Sequence, residues 1–354
     1  MDNTKKIVVT GISGSGSRDF CARYAHGNLG KENVKVYDTG EMICRMAQSY
    51  LEEPIIPKEN LLNLHPKILG SLQDRAFEGI INDIEHNKGR YDRIVIDTHA
   101  QFFWNDVIHN AWNWKYLDEI NPDMFVTVID KPSAIKERQM QTEQGRLQNH
   151  DLRALLVWQN AEAEVTRGWA LKYENPMYVL PSRQDGLTIE SLLNNPFLIY
   201  FQMPMTHANE QQDRKITKFK KELLKVGLGV NNLPTPIIDP RHIDIETGEG
   251  LSDIERRAIA RQTVHRDLNW YIKEATDLVA YYPAGTTISK GVSDESTRGF
   301  ETGKNAFVIY PVKNKSPFMG IATKVFESEK EFFDFFPEYM KQRIEFFRRN
   351  SERK

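Results

Sequence analysis

Short apolar runs alternate with longer amphipathic segments through the first half of the chain. The runs are rich in β-branched residues, which favours buried strands. They cover residues 6–10, 33–37, 93–97, 124–129 and 178–180. Between the second and third runs, apolar side chains recur at helical spacing from Leu61 to His86. Strands that alternate with helices in this way predict an α/β fold with a parallel sheet.

The same kind of pattern begins again after Asn194-Asn195-Pro196. Further strands are predicted at 197–201, 278–281 and 306–310, and helices at 213–226 and 253–277. We therefore predict two domains, at residues 1–190 and 196–354. The final amphipathic segment, 331–347, is crowded with phenylalanines. It is predicted to be a helix that covers the core, with a homo-oligomer contact as the alternative.

Composition and charge narrow the function classes. A length of 354 residues accommodates two separate cores. The formal net charge of −2 and the lack of a long basic block argue against nucleic acid as a partner and favour small molecules. Two cysteines provide neither a disulfide framework nor a metal cluster, so no metal ligand set is predicted. No apolar stretch reaches 18 residues, and the N-terminus is polar, which predicts a cytoplasmic protein without a membrane span.

A glycine-rich turn follows the first strand and precedes a helical segment. Such a turn can bind phosphate, because glycines let backbone N–H groups approach the phosphate oxygens at the start of a helix. A phosphate-binding P-loop would place Lys at position 17 and Ser or Thr at position 18, but this chain has Ser17 and Arg18. The predicted phosphate-binding residues are Gly11, Gly14, Ser15, Gly16, Ser17 and Arg18.

Other residues could serve phosphoryl transfer near this loop. Asp97 ends a buried strand, where a carboxylate can position metal-bound water. Transfer of a phosphoryl group also requires positive charge, and Arg138, Arg146 and Arg153 are the candidates. His99 follows the same strand as Asp97, and a structural role is the favoured interpretation for it.

Residues 4–185 resemble archaeal-type adenylate kinases. The motifs that carry the resemblance are Val9-Thr10-Gly11 with Gly14-Ser15-Gly16, Gly40-Glu41-Met42, Ile96-Asp97-Thr98-His99 and Tyr116-Leu117-Asp118-Glu119-Ile120-Asn121-Pro122-Asp123. The resemblance implies binding of ATP or another nucleotide with Mg²⁺. It also implies that Arg75 reaches a monophosphate and that residues 136–153 form a lid. Arg18 departs from the family at the position of the magnesium-binding hydroxyl, which leaves kinase activity open.

Residues 197–312 are similar to nucleoside 2-deoxyribosyltransferases and 5′-monophosphate N-glycosidases. The matching positions are Tyr200, Pro204, Asp267, Asp277, Ser289, Gly291, Glu295, Gly303 and Lys304. The resemblance implies a flavodoxin-like second domain and a substrate loop that contains Ser289 and Gly291. The chain departs from the family at Met203-Pro204 and by an extra residue before Glu295.

The residue types at these positions suit cleavage of an N-glycosidic bond. A carboxylate can capture the developing oxocarbenium ion as an ester, and a second acid must protonate the leaving base. Glu295 is the predicted nucleophile, and Asp267 and Asp277 are candidates for the acid and for contacts to the sugar. Tyr200 is predicted to orient Glu295 through a hydrogen bond.

The sequence therefore predicts a two-domain enzyme of nucleotide metabolism with a kinase-like domain and a glycosidase-like or transferase-like domain. Two alternatives stay open. In one, the first domain is a nucleotide sensor that gates an NAD glycohydrolase-like domain. In the other, the protein is a nucleoside monophosphate kinase with a C-terminal binding module. Ser17 and Arg18 favour the sensor, whereas Asp97-Thr98-His99 and the arginines favour the kinase.

Overall fold

The computed structural model describes residues 4–27, 33–50, 58–112, 114–205, 208–243, 250–287, 289–311 and 320–351. Contacts divide the chain into two compact units. The first is Met1–Gly186 with Ile245–Ala260, and the second is Leu187–Asp244 with Arg261–Lys354. The sequence had suggested boundaries at 190 and 196, without a returning segment. Residues 245–260 belong to the first unit because Ile259 is buried against Ile12 and Ile135 of that unit.

The first unit contains a parallel sheet with the strand order β2-β3-β1-β6-β7. The strands of this unit are β1 Lys5–Thr10, β2 Val34–Asp38, β3 Arg93–Thr98, β4 Gln101–Trp104, β5 Val107–Asn110, β6 Met124–Ile129 and β7 Met177–Pro181. Its helices are α1 Ser17–Gly27, α2 Thr39–Tyr50, α3 Pro66–His86, α4 Trp114–Ile120, α5 Pro132–Met140, α6 Glu143–Gln148 and α7 Leu152–Lys172. All residues of β6 and β7 are buried, as expected of apolar strands inside a parallel sheet.

Local chemistry explains where the first unit differs from the sequence prediction. The predicted helix 61–86 is divided into a 3₁₀ turn, Lys58–Asn63, and α3. Pro66 starts α3 because proline is compatible with the first helical turn but not with the helix interior. The antiparallel hairpin of β4 and β5 was not predicted. Its turn consists of Asn105 and Asp106, which both adopt positive φ, as a tight hairpin requires.

The second unit is also α/β, with all of its sheet pairings parallel. The strands are β8 Ile199–Gln202, β9 Ile237–Ile238, β10 Asp277–Tyr281, β11 Asn305–Ile309 and β12 Lys324–Phe326. The helices are α8 Leu187–Asn194, α9 Glu210–Asn231, α11 Ile272–Glu274, α12 Lys290–Glu301 and α13 Glu329–Ser351. The remaining helix, α10 Asp253–His265, begins in the returning segment of the first unit and ends in the second. The order β12-β11-β10-β8-β9 is the 2-1-3-4-5 order of flavodoxin-like sheets when the strands are numbered within the unit.

The phenylalanine-rich segment forms α13, which packs onto the sheet of the second unit. Phe332, Phe336, Met340 and Ile344 recur at helical spacing and are all buried in the core of this unit. The prediction of a core-covering helix is therefore confirmed. No helix in the described parts of the chain is both long and apolar enough to cross a membrane.

Candidate functional site

The glycine-rich turn of the first unit is a compact loop between β1 and α1. Gly14 and Gly16 have φ values of 83° and 90°, which side-chain-bearing residues rarely adopt. A Cβ atom on Gly14 would lie 2.9 Å from the carbonyl oxygen of Ile135, too close for any other residue. The Ser15 N–H donates to the Ile12 carbonyl, and its hydroxyl is buried without a partner among the described residues. The loop is therefore fixed by its backbone, as a phosphate-binding loop requires.

A buried glutamate on α7 holds the start of this loop. Glu162 is fully buried, and its Oε1 accepts hydrogen bonds from the N–H groups of Gly11, at 3.2 Å, and Ala100, at 2.7 Å. Its Oε2 accepts from the Gln101 N–H at 2.8 Å. Burial raises the pKa of Glu162 to about 8, and the backbone donors oppose this shift. Glu162 therefore connects the loop after β1 to the chain after β3.

Sequence reasoning missed Glu162, although α7 carries a usable signal. Its buried positions recur at helical spacing, and this stripe includes both Glu162 and Thr166. Polar residues inside an apolar stripe must have hydrogen-bond partners when they are buried. The Thr166 hydroxyl lies 2.9 Å from that of Thr10, at the end of β1. The stripe could thus have indicated that α7 supports the loop.

Asp97 lies at the loop, where the sequence predicted a carboxylate. Its side chain is buried and accepts a hydrogen bond from Ser17. Burial is the main cause that raises the pKa of Asp97 to about 7, and the Ser17 hydroxyl opposes it. Arg18 forms an ion pair with Asp38, at the end of β2. The residue at the position of the magnesium-binding hydroxyl is therefore an arginine that is paired with a neighbouring carboxylate.

The structure places one of the predicted lid arginines at the loop. A Cβ atom on Gly16 would lie 2.8 Å from Arg138 Nη1, so this guanidinium is adjacent to the loop. Arg138 pairs with Asp130, which also accepts a hydrogen bond from Ser182 at 2.7 Å. Arg75, Arg146 and Arg153 are exposed. Arg146 donates to the Met140 carbonyl at 3.2 Å.

An open cleft of about 550 Å³ adjoins Gly16. Its lining includes the arginines Arg23, Arg138 and Arg183. Arg23 and Arg183 were not predicted, because they are far apart in sequence and no local pattern joins them. The same lining contains the carboxylates Asp19, Asp130 and Glu137, of which Asp130 pairs with Arg138, so the three guanidinium groups are balanced in formal charge.

In the second unit, the Glu295 carboxylate is held by two side chains of β8. Tyr200 Oη donates to Glu295 Oε1 at 2.9 Å, and Gln202 Nε2 donates to Oε2 at 3.1 Å. The predicted contact between Tyr200 and Glu295 is thus present, whereas Gln202 was not predicted. Glu295 is half-buried on α12. In this strand order, ligands bind beyond the carboxyl ends of the strands where the order reverses, and β8 lies at that point.

The π-helical turn Arg266–Tyr271 brings a second carboxylate towards Glu295. Such turns are rare and are frequent at functional sites. Arg266 Nε donates to Asp267 Oδ1 at 2.8 Å, and both side chains are buried. Burial raises the pKa of Asp267 against the lowering effect of Arg266.

The charge of Asp267 acts on Glu295. Burial is the main cause that raises the pKa of Glu295 to about 8, and Asp267 adds to it. The hydrogen bonds from Tyr200 and Gln202 oppose the rise. A raised pKa suits Asp267 for the acid role, whereas Glu295 must lose its proton before it can act as the nucleophile.

The structure does not bring Asp277 to this site. Asp277 is fully buried at the start of β10, where Tyr339 Oη donates to its carboxylate and Arg343 Nη2 lies 3.8 Å from it. Both partners belong to α13, so Asp277 anchors this helix to the sheet. Lys304 similarly donates to the Lys273 carbonyl at 2.9 Å. A structural role explains these contacts of Asp277 better than the predicted acid role.

The predicted substrate loop is mostly helix. Ser289 is the N-cap of α12, and its hydroxyl accepts from the Val292 N–H at 3.3 Å. Gly291 lies in the first turn of α12, instead of in a loop. No heavy atom lies within 4 Å of a Cβ position on Gly291, so the described residues leave space there. A serine at the N-cap favours helix formation. The nearby glycine had instead suggested a loop in the sequence.

Comparisons with known proteins bear on the first unit. A protein family described as an AAA domain matches residues 10–154, which include the glycine-rich loop, Asp97 and Arg138. No curated protein matches the chain.

Among solved structures, the chain is similar to an unliganded sugar kinase from Janibacter sp. HTCC2649. The two are 17% identical, and the match covers 54% of this chain and 90% of that chain. The TM-score is 0.29, so this likeness carries no argument about function. The first unit is thus an α/β domain with a loop of P-loop type, in which residues 10–154 match the AAA-domain family, and the second unit is a further α/β domain.

Proposed function

We propose that the second unit cleaves or transfers the N-glycosidic bond of a nucleoside or nucleotide, with Glu295 as the nucleophile. The observation that carries this proposal is the half-buried Glu295 carboxylate, held by Tyr200 and Gln202 and coupled to Asp267. A carboxylate fixed at both oxygens is ready to attack one carbon atom, and Asp267 can serve as the proton donor. The resemblance of residues 197–312 to deoxyribosyltransferases, which rests on sequence motifs alone, points to the same assignment.

The reaction follows from these roles. A Glu295 oxygen forms a bond to C1′ while the bond from C1′ to the base nitrogen breaks, and its electron pair stays on the base. Asp267 donates a proton to that nitrogen, so the base leaves neutral. Water or a second base then attacks C1′ and transfers a proton to Asp267, and Glu295 leaves as a carboxylate. Water gives hydrolysis, whereas a second base gives transfer.

In the first unit we propose nucleotide binding at the glycine-rich loop, with the phosphates in the arginine-lined cleft. The Ser17 hydroxyl and the buried Asp97 carboxylate are hard oxygen donors that lie together, so they fit Mg²⁺. These two residues would hold the ion, which would neutralise phosphate charge. The loop lacks the lysine that would contact the outer phosphates, because position 17 is serine.

Phosphoryl transfer from ATP to AMP is expected to be slow. An anchoring charge of this kind contributes about 2–4 kcal/mol to the transition state, and the loop lysine is missing. Turnover should therefore be at least about 30-fold below the 1–100 s⁻¹ typical of kinases. ADP formation measures it, and the double variant Ser17→Lys, Arg18→Thr should increase the rate. Rapid turnover by the unaltered protein would show that Arg138 or another residue compensates.

For a substrate whose base leaves without protonation by Asp267, base release is expected to increase with pH between 6.5 and 8. Burial raises the pKa of Glu295 to about 8, so the nucleophilic carboxylate form is a minority at neutral pH and increases as pH rises. Between pH 7 and pH 8 the rate should increase about fivefold. In Gln202→Leu the profile should move to higher pH, because that variant loses a donor that stabilises the carboxylate. A profile that is flat from pH 6 to 9 would contradict the nucleophile assignment.

The direct test is incubation of the protein with a panel of nucleosides, 5′-monophosphates and NAD. Chromatography then measures the free base. Release from a nucleoside or monophosphate supports the proposal, whereas release from NAD alone favours the sensor with a glycohydrolase-like domain. No release from any member would favour the kinase with a binding module.

A further inference from the structure

A pocket of about 140 Å³ lies in the first unit beside the phosphate loop. Ser13 of the loop contributes to its lining. Four aromatic side chains lie in the walls beside aliphatic and amide side chains, together with the imidazoles of His99 and His150. The residues that matter here, besides Ser13, are Phe102, Phe103, Trp104, His150 and Trp158. We call this site the aromatic pocket.

The walls of the aromatic pocket are fixed before any ligand arrives. Trp104 Nε1 donates to Asn63 Oδ1 at 2.9 Å, and Trp158 Nε1 donates to the Gln101 carbonyl at 3.0 Å. Each indole is therefore held at its polar atom while its rings remain available for packing. Such preorganised aromatic surfaces suit a flat, rigid ligand.

His150 gives the pocket unused hydrogen-bonding capacity. The side chain is 8% exposed, and neither Nδ1 nor Nε2 has a partner among the described residues. The ring contacts Phe103 with centroids 4.8 Å apart and Trp158 with centroids 5.7 Å apart. Burial lowers the pKa of His150, so the neutral ring offers one donor and one acceptor. Buried polar groups normally have partners, so this ring indicates a ligand that supplies them.

The described part of the lining carries no formal charge. None of the described residues that line the aromatic pocket is Asp, Glu, Lys or Arg. A phosphate placed there would lose water without gaining a countercharge, which is unfavourable. The arginine that the kinase resemblance implied for a monophosphate, Arg75, is exposed and is not part of the lining.

We propose that the aromatic pocket binds the uncharged base of a nucleoside, in preference to a 5′-monophosphate. The volume agrees, because a cavity of about 150 Å³ admits one benzene ring. The base would stack on the aromatic walls, and its edge would pair with the His150 nitrogens. The proposal rests on the proposed function in one respect, namely that the loop beside the pocket binds phosphate. It does not require cleavage at Glu295.

Calorimetric titration of the full chain tests this proposal. The Glu295→Gln background is used so that no ligand is consumed. The probes are a purine and a pyrimidine nucleoside, their free bases and their 5′-monophosphates. We expect a nucleoside or its base to bind at least as tightly as the monophosphate. Hydrogen exchange should slow in 101–110 when the nucleoside is bound.

Variants assign the binding to the pocket. Leu69 lines the pocket at a partly exposed helical position, and Leu69→Trp should fill the space and abolish this binding. His150→Phe keeps an aromatic ring and removes both nitrogens, and it should weaken nucleoside binding at least about fivefold. The melting temperature of His150→Phe should not fall. The control Leu147→Phe changes a side chain that is 65% exposed and outside the pocket, and it should bind normally.

Three results would overturn the proposal. The first is a monophosphate that binds more than tenfold tighter than its nucleoside and is lost in Leu69→Trp. The second is nucleoside binding that neither pocket variant changes, which would place the ligand elsewhere. The third is no binding of any probe at millimolar concentration. None of these results depends on glycosidic cleavage, so they are distinguishable from a failure of the proposed function.

Discussion

Replacing Glu295 by Gln is expected to reduce base release at least about a thousandfold, because the variant cannot form the ester to C1′. The amide retains the shape of the side chain, so the fold should be preserved. Because burial raises the pKa of the native carboxyl to about 8, its removal should increase stability progressively from about pH 4.5, where the carboxyl of the unfolded chain ionises, up to about pH 8. Chromatography of the released base measures the effect.

The aspartates Asp267 and Asp277 provide matched controls. Asp267→Asn should slow base release, most for poor leaving bases, because the acid that protonates the base is lost. Asp277→Asn should instead lower the stability by about 2–4 kcal/mol, since it weakens buried contacts to Tyr339 and Arg343. Its rate per folded molecule should remain within about threefold of the unaltered protein. Equal base release by Glu295→Gln and the unaltered protein would exclude Glu295 as the nucleophile.

Glu162→Ala is expected to destabilise the first unit by about 3–5 kcal/mol. The substitution leaves the N–H groups of Gly11, Ala100 and Gln101 buried without their acceptor. Nucleotide binding should weaken as well, because Gly11 begins the phosphate loop. Urea unfolding followed by tryptophan fluorescence suits this test, since Trp270 alone of the six tryptophans belongs to the second unit.

Glu164→Ala is the control on the same helix. Glu164 is 54% exposed on its side chain and lies 3.6 Å from Arg167, so its removal should change stability by less than about 0.5 kcal/mol. Glu162→Gln should be intermediate, because the amide keeps one acceptor oxygen. If Glu162→Ala were as stable as Glu164→Ala, the proposed support of the loop would be wrong.

Features with a local sequence signal were predictable. Apolar β-branched runs predicted the main strands of both units, and the glycines of the loop indicated its backbone conformation. The fold class is confirmed by the parallel sheets and by the family match in the first unit. The short strands β9 and β12 were missed because two or three residues carry too little pattern to separate them from loops.

Features that depend on tertiary contacts were not predictable from the sequence. Asp267 and Asp277 are only ten residues apart, and both precede or begin buried elements. From the sequence alone they were therefore equal candidates for the acid and for contacts to the sugar. Their roles differ because one lies on a π-helical turn whereas the other faces α13. Arg23, Arg183 and Gln202 gain their positions from elements far apart in the chain, which no spacing rule joins.

The alternatives make different use of the same sites. A nucleotide sensor needs the glycine-rich loop and the arginine-lined cleft, but not phosphoryl transfer. A monophosphate kinase needs a cationic acceptor site, which the described lining of the aromatic pocket does not provide. Our proposal for the first unit is therefore nucleotide binding at the glycine-rich loop, without kinase activity towards a monophosphate.

Trapping of a covalent intermediate tests the central claim most directly. A nucleoside analogue with fluorine at C2′ disfavours the oxocarbenium ion and slows hydrolysis of the ester more than it prevents its formation. We expect mass spectrometry of the treated protein to show the added mass of one fluorinated sugar, on the peptide that contains Glu295. The Glu295→Gln variant should show no adduct. An adduct on another residue, or base release without any adduct on Glu295, would contradict the proposed mechanism.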